Sequence, residues 1–222
     1  MSRPVKGLLI KDLRLIVIQM KMFFAMLAVW GLIMSISVKG SFFLPGYAAV
    51  LCSFLSLSTY SYDEFDNGMA YIFTLPAKRR DYVRAKYLLG ILLAVIPTIV
   101  VTAASYIAHL VTKGAITPME YVISPLSAIA LAFMLMAVEN PIYIKFGQEK
   151  SRIARMISIG MIAFCFGMIG VLYEDSANGR SVLNSIAGLE DWLLMLLMMA
   201  AAVALMYVSY RISCVVLEKK QF

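Results

Sequence analysis

The sequence predicts an all-α membrane protein. It should have six transmembrane helices, an N-terminal helix lying in the membrane interface, and a helical cytoplasmic segment between helices 2 and 3. Three observations lead there. The chain is 62% hydrophobic and 15% charged, with a mean hydropathy of +0.84, whereas soluble domains are about half apolar and a quarter charged. Six apolar stretches, Lys21–Val38, Phe43–Tyr62, Tyr87–Thr112, Val122–Phe146, Met156–Tyr173 and Trp192–Val216, suit a ~30 Å hydrocarbon core, which takes about 20 residues. Of the 20 Lys and Arg residues, only Lys39, Lys113 and Arg180 fall on one side of that arrangement. The others sit in the N-terminal segment, the second and fourth loops and the C-terminus. Basic short loops stay in the cytoplasm, so both termini are expected inside.

The elements follow in order. Residues 3–20 repeat apolar side chains (Val5, Leu9, Leu13, Ile16) on one helical face, with basic side chains on another. This is the pattern of a helix lying in the interface, with Arg3, Lys11, Arg14 and Lys21 reaching lipid phosphates. Pro4 suits its first turn. The basic start and apolar run are too long for a signal-peptide core, and more spans follow, so an uncleaved first span is expected. Spans one and two are joined by a very short turn. Pro45 lies near the outer start of span two, Pro97 in span three, and Pro125 and Pro141 in span four, all as kink sites.

The long inner loop, residues 63–86, carries more structure. Ser61-Tyr62-Asp63-Glu64 has the spacing of a capping box, with Asp63, Glu64 and Asp66 placed for the N-terminal end of a short helix. Gly68 loosens its middle. Thr74-Leu75-Pro76 should end it, and Pro76 should open a second helix through Lys78, Arg79, Arg80 and Asp81 into span three. Gln148–Arg152 reads as the loop between spans four and five. The outer loop, Glu174–Asp191, reads as a turn around Asn178-Gly179.

Composition and motifs exclude several classes. Cys52, Cys165 and Cys214 lie in separate apolar spans with no metal or redox spacing. The single histidine, His109, makes metal or histidine-based acid–base chemistry unsupported. No phosphate-loop, nucleophile-elbow or zinc-protease motif occurs, so no catalytic residue and no metal site is expected. The net charge of +7 follows the topology and matches an anionic inner leaflet, not nucleic acid.

Tyr62-Asp63-Glu64, Asn67, Tyr71-Ile72-Phe73-Thr74-Leu75-Pro76, then Arg79, Val83, Lys86 and Tyr87 resemble the intracellular segment of the small six-span ABC-2-type permeases. Asn140-Pro141 through Lys145-Phe146-Gly147, with Glu149, Lys150 and Arg152, adds to the likeness. Within that group the chain looks most like permeases of bacterial peptide exporters, including the phenol-soluble modulin type. The resemblance implies a single transmembrane domain over residues 1–222, with a connecting helix at 3–20 and a coupling-helix region at 63–86. It also implies a bacterial cell membrane location, a homo- or heterodimer of permease subunits, and a separate ABC ATPase that carries ATP and Mg. Asp63, Glu64, Asn67, Tyr71, Phe73, Leu75, Pro76, Arg79 and Arg80 would dock that ATPase. The substrate path would run along spans one, two and five, with Met26, Trp30, Met34, Phe54, Ser58 and Met161 as candidate lining. Methionine and aromatic side chains with few fixed charges suit an amphipathic or hydrophobic cargo. Two other readings stand beside this one: a secondary transporter or channel, and a non-transporting immunity or regulatory subunit. A secondary transporter would carry ionisable residues near the midplane, and only Glu139 is a candidate, displaced toward the inner side.

Overall fold

A computed structural model describes residues 3–35, 40–65, 68–74, 77–112, 120–175 and 191–220. Among these residues there are six helices and no strand: α1 (Arg3–Ser35), α2 (Gly40–Glu64), α3 (Gly68–Thr74), α4 (Arg79–Thr112), α5 (Glu120–Asp175) and α6 (Asp191–Lys219). Three stretches within them are long and apolar enough to cross a membrane: Arg79–Ile107, Val122–Gln148 and Met195–Lys219. Exposed Ile99, Val100 and Ile107 on α4 and Leu197, Val203 and Val208 on α6 present to lipid the apolar surface that water would penalise.

Packing follows small residues and satisfied backbone. The most extensive contacts join α5 to α6 and α2 to α4 and α5, while α1 lies against α2 and α4. A Cβ at Gly90 of α4 would stand 2.7 Å from the Met136 sulfur on α5. Glycine there lets the two helices approach as membrane helices do. Pro141 has no N–H for the carbonyl of Ala137 four residues back. The Ser209 hydroxyl on α6 donates to that carbonyl at 2.6 Å, as a neighbouring helix is expected to do in an apolar medium. Since its one hydrogen is used there, Ser209 accepts from the Tyr87 hydroxyl at 2.6 Å, and Ser213 donates to Tyr87 at 2.8 Å. Three helices are thus stitched at one depth.

Four sequence expectations change. The interfacial segment and the first span form one 33-residue helix with no interruption between them. Ser61 does not cap a new helix. Its hydroxyl pairs with the Tyr143 hydroxyl at 2.6 Å, α2 runs on to Glu64, and the short helix starts at Gly68. Asp63 and Glu64 therefore occupy a helix C-terminus, where the dipole disfavours negative charge and outside cations must compensate. The next helix begins at Arg79, with the Lys78 carbonyl accepting from Asp81 N (2.8 Å) and Tyr82 N (3.2 Å). Pro76 lies outside the described residues. The expected loop between spans four and five shrinks to one residue: α5 is two helices that meet at Gly147 (φ 74°, ψ −171°), and residues 148–152 are already helical.

Candidate functional site

The charged side chains gather at the end of the bundle where α2 stops and α4 starts, in three clusters around α3. The first is buried. Lys86 of α4 and Asp12 of α1 have side chains 1% exposed, and Asp63 of α2 is 3% exposed. The Lys86 ammonium lies 2.6 Å from Asp63 Oδ2 and 2.9 Å from Asp12 Oδ2, and it donates to Thr59 Oγ1 at 2.8 Å. The ammonium is thus enclosed by two carboxylates and a hydroxyl. The rings of Tyr60 and Tyr82 lie 5.0 and 5.3 Å from the same ammonium, at cation–π range. Lys11 binds Asp63 and stands 3.3 Å from Asp12, and the Tyr82 hydroxyl donates to Asp63 at 2.9 Å. The contacts to Asp12 are close in distance but off hydrogen-bond alignment, so attraction of charge carries them. Two lysines face two aspartates, and the cluster is neutral as a whole. Burial raises the Asp63 carboxyl, but the ammoniums of Lys86 and Lys11 outweigh it and hold the group below the ordinary carboxylate value. Burial lowers Lys11, and Asp12 and Asp63 more than reverse that.

The second cluster is the break in α5. At Gly147 the helix loses the bond between Gln148 N–H and the Ile144 carbonyl. Gln148 N–H donates instead to Glu64 Oε2 at 2.8 Å, and Lys220 Nζ donates to the Ile144 carbonyl at 3.1 Å. A carboxylate at a helix start and an ammonium at a helix end both complement the dipole. Gly147 is required twice: its φ is left-handed, and a Cβ there would sit 3.1 Å from the Glu64 carboxylate.

The third cluster is exposed. Arg79 Nη1 donates to the carbonyls of Leu217, Glu218 and Lys220 at 2.9, 2.8 and 2.7 Å. It thereby caps α6, whose last carbonyls have no helical partners. Arg80 pairs with Glu218 at 2.6 Å, with side chains 65% and 43% exposed. The Arg79 guanidinium lies 5.7 Å from the Phe73 ring.

Set against the residues singled out in sequence, the clusters divide them. Asp63 is taken inside, and Glu64 holds the α5 break. Tyr71 of α3 is 69% exposed, Phe73 packs half-buried against the core, and Arg79 and Arg80 hold α6. Asn67, Leu75 and Pro76 lie outside the described residues. Of the proposed phosphate contacts, Lys11 turns inward to the aspartates, Arg3 and Arg14 stay exposed, and the Lys21 side chain lies outside the described residues. Phe54 packs beside the core and the Ser58 hydroxyl donates to the Leu55 carbonyl at 2.7 Å. The side chains of Met26, Trp30, Met34 and Met161 lie outside the described residues. Sequence reasoning missed Asp12, and it read Lys86 as a topogenic charge. The available signal was an acid inside an otherwise basic amphipathic helix.

A helical bundle with an apolar belt, its charges gathered at one end around a short helix, defines a multi-pass membrane protein. A family model described as ABC-2 family transporter protein matches residues 7–218, and the chain belongs to that family. No curated protein and no solved structure matches it. Membership makes it a membrane transport component, for which an ABC ATPase is the general partner and ATP hydrolysis typically belongs to a separate subunit.

Proposed function

We propose that the chain is the permease subunit of an ATP-driven exporter that moves amphipathic peptides or other hydrophobic molecules out of a bacterial cell. It works as one of a pair of permease subunits, each bound to an ATPase that carries ATP and Mg, with both termini cytoplasmic. The observation that carries this reading is α3. It is a seven-residue helix outside the spans that carries exposed Tyr71, with Phe65, 73% exposed, on the segment leading into it, and its flanks are tied to α1, α4, α5 and α6 by the three charge clusters. Exposed aromatics on and before a short tethered helix are suitable anchors for a protein partner, and a push on α3 would reach four helices. Arg80, Lys78 and Glu218 border a cleft of about 550 Å³ beside it and would set orientation more than affinity.

Co-purification tests this reading. The full chain should retain a separately encoded ABC ATPase, and Phe65→Ala with Tyr71→Ala should release it while the unfolding midpoint stays put. Retention of the ATPase by that double variant would overturn the docking assignment. Topology is checked by cysteine labelling from outside, which should reach a cysteine at position 177 and miss one at position 77.

A further inference from the structure

A groove of about 660 Å³ runs between the first half of α1 and the junction of α2 with α3. Leu8, Ile10 and Ile18 form one wall, and Tyr71 and Ile72 form the other. Gly7 also lines the groove, and a Cβ there would meet nothing within 4 Å, so the space beside it is open. The volume falls in the roughly 300–1,000 Å³ of clefts that take small molecules.

Three properties choose the occupant. Leu8 and Ile72 are buried, but the rest of the apolar lining is bare: Ile10 is 42%, Ile18 75% and Tyr71 69% exposed, which calls for an apolar cover. The charge left over is positive. Lys11 and Asp63 line the groove but neutralise each other within the buried cluster, while Arg14 stands exposed at the mouth with no ion pair among the described residues. A guanidinium presents a planar fork of donors that fits a phosphate. Lastly, the groove opens where the basic residues collect, the side that faces an anionic leaflet. Ile18 continues the apolar wall one helical turn beyond Arg14 toward the first apolar span, where a soluble partner does not reach but an acyl chain does.

We propose that this groove holds one anionic phospholipid of the inner leaflet. Its phosphate sits on Arg14 and an acyl chain lies along Ile10, Ile18 and Tyr71. The lipid fills the gap between α1 and α3 and fixes the short helix against the bundle. The assignment does not depend on what the chain transports.

The test uses the purified full chain in dodecyl maltoside. Thermal unfolding is followed with dioleoyl-phosphatidylglycerol, dioleoyl-phosphatidylcholine or inorganic phosphate added at equal concentration. Phosphatidylglycerol should raise the midpoint by about 5 °C at roughly 100-fold excess over its Kd, with little effect from the other two. Arg14→Glu should remove most of that shift. Gly7→Trp, which fills that open space and leaves the charge in place, should do the same, and Lys219→Glu should keep it. Equal shifts from the two lipids, an equal shift from inorganic phosphate, or an undiminished shift in either Arg14→Glu or Gly7→Trp would overturn the site. If one of these two variants does not fold, the other decides. Loss of the ATPase partner from Arg14→Glu, with equal lipid shifts, would assign the groove to protein docking instead and also overturn the proposal.

Discussion

The two flanks of α3 are both held by ion pairs, yet they are built in opposite ways. On the Asp63 side the pairs around Lys86 are buried, neutral in sum and shared by three helices. On the Arg80 side the pair with Glu218 stands in solvent. Exposed pairs contribute little to stability, whereas removing one member of a buried pair strands the other charge and costs about 3–5 kcal/mol. The short helix therefore has a fixed flank and a yielding flank. A partner that moves α3 can shift it at the Arg80 side without dismantling the bundle.

The largest effect should come from the fixed flank. Lys86→Met leaves Asp12 and Asp63 with Lys11 as their one remaining cation among the described residues, and should lower stability by about 3–5 kcal/mol. The readout is a collapse in monodisperse yield and a large drop in unfolding midpoint. A normal midpoint would show that the cluster does not hold the fold.

The α5 break comes next. Gly147→Ala forces a side chain into a left-handed position and against the Glu64 carboxylate, which costs about 1–3 kcal/mol. Glu64→Ala should lower the midpoint less, and the two changes together should be less than additive, because they disturb one joint. Strict additivity of the midpoints would separate Glu64 from the break.

The smallest effect concerns pH. Asp63 is held below its ordinary value, so its contribution is complete above about pH 3.9 and fades as pH falls through its lowered folded-state value. Lys11 is raised, so its contribution is complete below about pH 10.4 and fades as pH rises beyond its folded-state value. Asp63 and Lys11 should therefore add no slope between pH 5 and about pH 9. Midpoints of the wild type and of Asp63→Asn/Lys86→Met, measured across pH, should run parallel in that window and converge in acid below it. A divergence near neutrality would contradict the assignment.

Helical class, three of the apolar stretches and the end of the short inner helix at Thr74 were legible because hydropathy and proline punctuation are local signals, whereas its start was misplaced from Gly68 to the Ser61 spacing. The wiring was not. Ser61 offers a capping hydroxyl by spacing, but Tyr143, distant in sequence, competes for it. Lys11 and Arg14 are both basic residues of one amphipathic helix, and only tertiary packing decides that the first meets Asp63 while the second stays outside. Gly147 looked like the edge of a loop. A single left-handed residue turned out to suffice, because Glu64 and Lys220 supply new partners for the two ends of the hydrogen bond the break gives up.

ATP hydrolysis in proteoliposomes tests the central claim most directly. The chain is reconstituted with its separate ATPase, with and without an amphipathic peptide, as wild type and as Arg80→Glu. The wild type should hydrolyse ATP faster with peptide present. Arg80→Glu should keep its unfolding midpoint and its bound ATPase and lose the stimulation, because only the yielding flank is altered. Full stimulation in Arg80→Glu, or stimulation of the wild type by a hydrophilic sugar and not by peptide, would contradict the account.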